Sequence, residues 1–442
     1  MSGLKIVLVG GGSYGWTPRL VCSILGNEFL NGSHVVLHDL NPEALDLTYR
    51  LALKYQALYG SDTTFAQTTD QAAALDGAHA VVVTISTGGL AAMQSDLELP
   101  EKYGIFQTVG DTVGPGGLFR ALRGVPVFLG LARAMEERCP EAWMLNCSNP
   151  LSALTRVVAK ETSIRAAGIC HGVPGVAGEF AAFFGVPMEE CAYANTGIDH
   201  CAFFTHFYVQ GRPALEILEK KGVDQWLALP PEEAGADPVF GRLRRLRCGL
   251  RIGRRFGVLP AIGDRHLVEF FPGFLSRPEE VERHGLVRTT IADRKKSAVA
   301  ARAQVERLLS GEEEVQRIEI RSDDVGAWIA ALHNGPAVED NLNAPNIGQI
   351  PQLPEGAVVE TRGLLDATGL RPIVSPLPAL LEAMVRPHVL REELTVEAAL
   401  EGDFDKAVAV LSRDPLVTDP DTARPMLEEL IAANREYLPR FG

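Results

Sequence analysis

No apolar run in this chain approaches the roughly 20 residues that a membrane-spanning helix requires, and the first residues lack the basic segment and cleavage site of an export signal. Neither a membrane protein nor a secreted one is expected. Cysteine is sparse and unpaired in pattern: the seven residues, at 22, 139, 147, 170, 191, 201 and 248, are odd in number and scattered. A disulfide framework is therefore not expected, and a reducing cytoplasm is. Surplus positive charge is missing too. The net charge is −14, which works against contact with nucleic acid or an anionic membrane, since both need positive potential over the contact surface. There is no internal repeat, low-complexity tract or heptad pattern. What remains is an ordinary globular composition, 46% apolar, with ample chain to bury a large core.

The first third alternates strand and helix signals. Apolar runs at 4–9, 35–37, 80–85 and 143–146 are separated by helical patterns near 17–29, 42–59 and 122–137. Such alternation predicts a doubly wound parallel sheet of Rossmann type, with crossover helices on both faces and a ligand crevice at the carboxyl ends of the strands. From about residue 195 the pattern becomes mixed. A strand-like stretch at 201–209 is followed by a proline-rich segment, 229–238, that reads as a surface loop. Helical patterns follow near 293–310, 324–333, 377–385 and 423–437. The expected architecture is α/β with two parts: a dinucleotide-binding domain over 1–195 and a mixed, mainly helical domain over 196–442 that carries substrate, metal and oligomer contacts.

Gly10-Gly11-Gly12-Ser13-Tyr14-Gly15 satisfies G-x-G-x-x-G directly after the first strand and before a helix. Glycine there permits the tight turn and close approach of backbone to a pyrophosphate, whose charge meets the helix N-terminus. Gly10, Gly12, Ser13 and Gly15 are the candidate contacts. Asp39 follows the second strand, 24 residues after Gly15, where a carboxylate can accept from a ribose 2′-hydroxyl and would repel a 2′-phosphate. NAD is thus expected rather than NADP. Thr84, after the third apolar run, would pass the adenine-ribose side of the dinucleotide. Asn146 and Asn149, after the fourth, could hydrogen-bond the nicotinamide ribose or a substrate hydroxyl, or could be structural turn residues.

Cys170-His171 and, thirty residues on, Asp199-His200 place thiol, imidazole and carboxylate groups downstream of that fingerprint. A thiolate and an imidazole suit a divalent metal, and a metal beside a hydride acceptor suits chemistry that passes through an oxidised sugar or hydroxy acid. A buried cysteine and a satisfied core histidine would look the same in sequence. The small-residue loop Val109 to Gly117 is followed by Arg120 and Arg123, either of which could hold a carboxylate bidentately. Gly263-Asp264-Arg265-His266 is a second dense titratable segment, readable also as a helix cap with a surface ion pair. Seven arginines between Arg242 and Arg255 interleave with leucines and read as an amphipathic helix at a subunit or domain boundary.

In order along the chain, Gly10 to Trp16, Val109 to Gly117, Asn146 to Pro150, Cys170-His171, Gly197 to His200, Gly263 to Pro272 and Asn343 to Asn346 together resemble glycoside hydrolase family 4. These are the NAD-dependent glycosidases that depart from two-carboxylate hydrolysis. Within the family the α-galacturonidase branch looks most similar. The resemblance implies NAD⁺ and a divalent ion, typically Mn²⁺, held by Cys170 and His200 with the sugar's O2 and O3. It also implies a redox-neutral route: hydride leaves C3, a base removes the C2 proton, the aglycone is eliminated from C1, water adds and the hydride returns. Asn149 matches the family's substrate-binding asparagine. His171 stands where other branches carry an aspartate proposed to protonate the leaving oxygen.

Two departures stand out. No tyrosine occurs between Tyr208 and Tyr437, where several branches place the C2 base, so Asp264 assisted by Arg265 is the candidate. Asp199-His200 also replaces the family's Asn-His. The expected activity is hydrolysis of α-galacturonides, with Arg120 or Arg265 pairing with the uronate carboxylate, in a homodimer or homotetramer. The alternatives left open are an α-glucosidase or α-glucuronidase of the same family, a net 2-hydroxy acid dehydrogenase, and a nucleotide-sensing regulator.

Overall fold

Six strands form the framework: β1 (Lys5–Val9), β2 (His34–His38), β3 (Thr64–Thr68), β4 (Ala80–Val83), β5 (Trp143–Asn146) and β6 (Arg165–Gly168). In this computed structural model, which describes residues 3–320 and 324–441, they run parallel in the order β3-β2-β1-β4-β5-β6. Their apolar runs are continuous because both faces are covered. Val7, Val81 and Met144 enter the core under one layer of helices, while Ile6, Val82 and Leu145 enter the core under the other. The expected Rossmann-type sheet is thus the observed one. Its strand order reverses between β1 and β4, and the crevice at a sheet's carboxyl edge opens at such a switch point.

The rest of the chain is mainly helical, as expected, but it also carries strands that its pattern does not predict. Residues β11 (Val338–Pro345), β12 (Val358–Asp366) and β13 (Gly369–Pro372) add an antiparallel extension to the β6 edge, joined through Asn343 opposite Gly168. A second sheet is built from β7 (Cys191–Ile198), β8 (Cys201–Val209), the two-residue β9 (Arg212–Pro213) and β10 (Leu259–Pro260). The division expected between residues 195 and 196 falls inside β7. Helices Ile291–Ser310, Val325–Leu332, Ala379–Glu401 and Ala423–Ala433 lie at the expected places, the third much longer than its pattern. The supposed loop at 229–238 holds a short helix, Pro231–Ala236. Among the described residues no helix is long and apolar enough to cross a membrane.

Candidate active site

The glycine-rich turn leaves β1 at the switch point. Gly10 has a φ of +91°, and a β-carbon there would lie 2.7 Å from the Thr84 carbonyl oxygen at the end of β4, so only glycine fits. The Gly11 carbonyl accepts from Thr17 Oγ1 at 2.9 Å and Thr48 Oγ1 at 2.7 Å, which ties the turn to helices Thr17–Leu25 and Pro42–Tyr59. Asp39, half-buried at the end of β2, accepts from the Gly12 N–H at 2.9 Å and from Asn41 N–H at 2.9 Å. The carboxylate expected to meet a ribose therefore also braces the turn. This backbone cradle, facing a helix N-terminus, fits a pyrophosphate.

Asn146 requires a correction. Its side chain is fully buried at the end of β5, donating to the Leu151 carbonyl at 3.3 Å and Thr155 Oγ1 at 3.1 Å and accepting from Ser148 N–H at 2.7 Å. All its polar functions shape the following loop, so it is not a ligand contact. Asn149 stays half-buried at the crevice, lining a small cavity with Arg120 under residues 85–87.

The two arginines of helix Gly114–Arg138 part company. Arg123 is buried and makes a bidentate pair with Asp96, at 2.9 and 2.6 Å, so its guanidinium is a structural element. Arg120 has one weak contact, from Nη2 to the Asn149 carbonyl at 3.4 Å, while Nε and Nη1 are buried without partners. Burial depresses its pKa, and the Asp111 and Asp96 carboxylates oppose that effect. A buried guanidinium with two unused donors is a strong receptor for a carboxylate.

Cys170 and His171 leave the carboxyl end of β6 immediately before helix Gly172–Phe184, whose Gly172 N–H points at the Cys170 sulfur at 3.3 Å. Asp199 and His200 are the two linking residues of the β7–β8 hairpin, with Ile198 paired to Cys201. His200 adopts a φ of +63°, a conformation that usually calls for glycine or asparagine. Gly197 makes the hairpin possible, because a β-carbon there would meet the Cys201 carbonyl oxygen at 2.3 Å.

These turns bring Cys170, Asp199 and His200 together, with one ligand atom from each within 4.8 Å of the others. Asp111, His200 and His266 form a second, overlapping triplet of the same kind. Both Asp199 oxygens are buried without a hydrogen-bond partner, and burial holds that carboxyl up at about 7. Burial also pushes the Cys170 thiol well up, and it pushes the imidazoles down, His200 to about 4 and His266 to about 3. The donor set of sulfur, imidazole and carboxylate fits a first-row divalent ion, which would satisfy the orphaned Asp199 oxygens. Thr112 Oγ1 donates to Asp111 Oδ1 at 2.9 Å and lies 2.7 Å from His200 Nδ1. It must accept from that nitrogen, which leaves Nε2 with the lone pair.

A cleft of about 590 Å³ opens beside the cluster, lined by His171, His200 and His266 at one end. Asp264 also lines it, but its two oxygens accept from Cys248 N–H and Gly249 N–H, each at 2.8 Å. The carboxylate expected to be the C2 base is therefore a cap on helix Arg247–Arg254, delivered from a distant loop. Burial pushes its carboxyl up to about 7 against the pull of those donors. Arg265 is exposed and donates to Thr289 Oγ1. His266, two residues beyond Asp264, faces the cluster: its Nδ1 is buried without a hydrogen-bond partner and lies 3.7 Å from Asp111 Oδ1. Its ring stacks 3.9 Å from that of His200. Asp111, Thr112 and His266 were within segments legible as motifs, yet nothing local marked them as members of one site.

A doubly wound sheet with a sulfur, imidazole and carboxylate cluster at its carboxyl edge defines an α/β enzyme with a dinucleotide-type fold. The chain belongs to family 4 of the glycosyl hydrolases: the profile of "Family 4 glycosyl hydrolase" matches residues 5–186, and that of "Family 4 glycosyl hydrolase C-terminal domain" matches residues 195–417. It is thus a glycosidase, and the dehydrogenase and sensor alternatives fall away. An alpha-galacturonidase of Thermoanaerobacterium saccharolyticum is 33% identical over 98% of this chain and 96% of its own length. One from Bacillus subtilis is 34% identical over 94% and 93%. Among solved structures, LplD of Bacillus subtilis superposes with a TM-score of 0.86 at 31% identity, covering 97% of this chain and 100% of that one. A 6-phospho-alpha-glucosidase from gut microorganisms, solved in complex with NAD and Mn²⁺, shares the fold at 20% identity, with a TM-score of 0.81 and 99% coverage of both chains.

Proposed function

We propose that this protein hydrolyses α-galacturonides by a redox-neutral route that uses NAD⁺ and a divalent ion such as Mn²⁺. The observation that carries the uronate assignment is the buried Arg120 guanidinium, whose Nε and Nη1 lack partners beside Asn149. A C6 carboxylate would neutralise that buried charge as well as accept its hydrogen bonds, whereas a neutral sugar hydroxyl could only accept. The α-galacturonidase relatives support the same choice.

The Gly10 to Gly15 turn, with Asp39 and Thr84 at the neighbouring strand ends, would hold the dinucleotide, and Cys170, His200 and Asp199 would hold the ion. When bound, NAD⁺ supplies a hydride acceptor for C3 and the ion supplies Lewis-acid polarisation at O2 and O3, which together acidify the C2 proton. Asn149 and Arg120 orient the glycone. With Asp264 occupied by two N–H donors, His266, whose ring lines the cleft, takes the role of C2 base, while its buried Nδ1 lies 3.7 Å from the Asp111 carboxylate that would steady the charged ring. His171, exposed at the start of helix Gly172–Phe184, would protonate the leaving oxygen.

The test is incubation with Mn²⁺, NAD⁺ and an aryl α-galacturonide in D₂O. Deuterium at C2 of the released galacturonate, many turnovers per NAD⁺ and no accumulating NADH are expected. Turnover of a neutral α-glucoside with none of the galacturonide would reject the uronate assignment. A homodimer or homotetramer is proposed as the working assembly, to be checked by light scattering.

A further inference from the structure

Two segments far apart in the chain meet at the cluster. One is the loop from Thr108 to Thr112, which delivers Asp111; the other is the short helix Asp264–Leu267 with the 3₁₀ turn Val268–Phe270, which delivers His266. Glu269 lies in that turn, three residues after His266, and is fully buried. Its Oε1 accepts from the Val109 N–H at 2.8 Å and the Gly110 N–H at 2.9 Å. The Thr108 hydroxyl, which donates to the Arg265 carbonyl, lies 3.1 Å from the same oxygen. Glu269 Oε2 is buried without a partner.

The contacts between the two segments are neighbours: Asp111 Oδ1 lies 3.7 Å from His266 Nδ1, and one residue back in the loop and one turn on from the histidine, the Gly110 N–H meets Glu269. Gly110 has a φ of +64°, and a β-carbon there would lie 2.7 Å from Leu97 Cδ2, so the chain can turn from that N–H into Asp111 only at glycine. Among the described residues no other group accepts from the Val109 and Gly110 N–H groups. Buried backbone donors need such a partner, and here the partner is a side chain on the element that carries the proposed base.

We infer that Glu269 is a positioning residue for proton removal at C2: by tying the Val109 and Gly110 backbone to the turn after His266, it fixes Asp111 against the His266 ring and so aims the base. It touches neither sugar nor dinucleotide and acts only through that pair. The inference rests on the reading of His266 as the C2 base.

The test is a double-mutant cycle on an aryl α-galacturonide with Mn²⁺ and NAD⁺. E269A should lower kcat by about ten- to a hundredfold with KM changed less than about threefold, since a base displaced by about 1 Å loses rate and not binding. E269Q, which keeps an oxygen for the two N–H groups and sets its amide where Oε2 has no partner, should recover most of that loss. H266A should lose about 10²–10⁴ in kcat, and adding E269A to it should cost less than about threefold more, because the group being aimed is already gone. If E269A does not fold, T108V takes its place in the same cycle, with an expected loss of about three- to tenfold in kcat. An equal loss with and without His266, or a loss confined to KM, would overturn the positioning role while a crippled H266A leaves the base assignment standing. Near-normal turnover by H266A would overturn the base assignment and the positioning role with it.

Discussion

Replacing Asp264 by asparagine separates two roles that one carboxylate cannot fill at once. As a remote cap, Asp264 accepts from Cys248 N–H and Gly249 N–H at 2.8 Å each, at the start of helix Arg247–Arg254. Asparagine keeps the shape but offers one acceptor oxygen and turns an N–H₂ toward the second backbone donor. The loss of a cap is worth about 1 kcal/mol. Leaving a buried N–H unpaired adds about 1–3 kcal/mol. The sum, about 2–4 kcal/mol, is spread over an unfolding entropy of about 2.1 cal/mol/K per residue, so for a chain of this length Tm should drop by about 2–5 °C. The same variant should lose less than about tenfold in kcat/KM on an aryl α-galacturonide, because the base is another residue. A catalytic base would show the opposite pattern, a loss of about 10²–10⁴ in kcat with no change in melting. Differential scanning calorimetry on the metal-free protein, paired with steady-state kinetics, decides the matter. An unchanged Tm with a thousandfold loss in kcat would refute the cap assignment and restore Asp264 as the base.

Other perturbations bear on the remaining groups. Thr112→Val removes the hydroxyl that accepts from His200 Nδ1, so Mn²⁺ affinity measured by calorimetry should weaken by about tenfold, and unaltered affinity would show that the hydroxyl does not orient the ring. Burial keeps the Cys170 thiol protonated at neutral pH and holds the Asp199 carboxyl up at about 7, so ion binding must displace protons from both: Mn²⁺ affinity should rise more than about tenfold per pH unit below about 7 and by about tenfold per unit near 8. Calorimetry at about pH 8 in buffers of different ionisation enthalpy would read about one proton released, and none would remove Cys170 from the ligand set. Asp96→Ala strands the buried Arg123 charge and should cost about 3–5 kcal/mol in denaturant unfolding, whereas Arg120→Met should leave stability nearly intact and raise KM for galacturonides. Similar destabilisation by both would mean that Arg120 is structural.

Much of the site was readable as a set of segments, and little of it as a set of roles. Arg120 and Arg123 sit three residues apart on one helix, both flanking a glycine-rich loop, and nothing local tells them apart. Asp96, from another helix, captures one and leaves the other facing the crevice. The capping role of Asp264 was hidden for the same reason: the helix it caps begins seventeen residues earlier and reaches it only through the fold. The first two strands between residues 338 and 372 were missed because several of their buried positions carry asparagine, glutamate and threonine, polar residues that hide a strand's apolar rhythm.

What the amino-acid order determined unaided is whatever depends on neighbours in the chain. The parallel sheet follows from apolar runs that need cover on both faces. The nucleotide cradle follows from Gly10, since no side chain fits against Thr84. The hairpin that presents His200 depends on Gly197 just before it. What only the tertiary structure decided is which polar groups are already satisfied. A carboxylate or guanidinium is available for chemistry only if no other part of the molecule has claimed its hydrogen bonds, and those partners come from segments tens to hundreds of residues away.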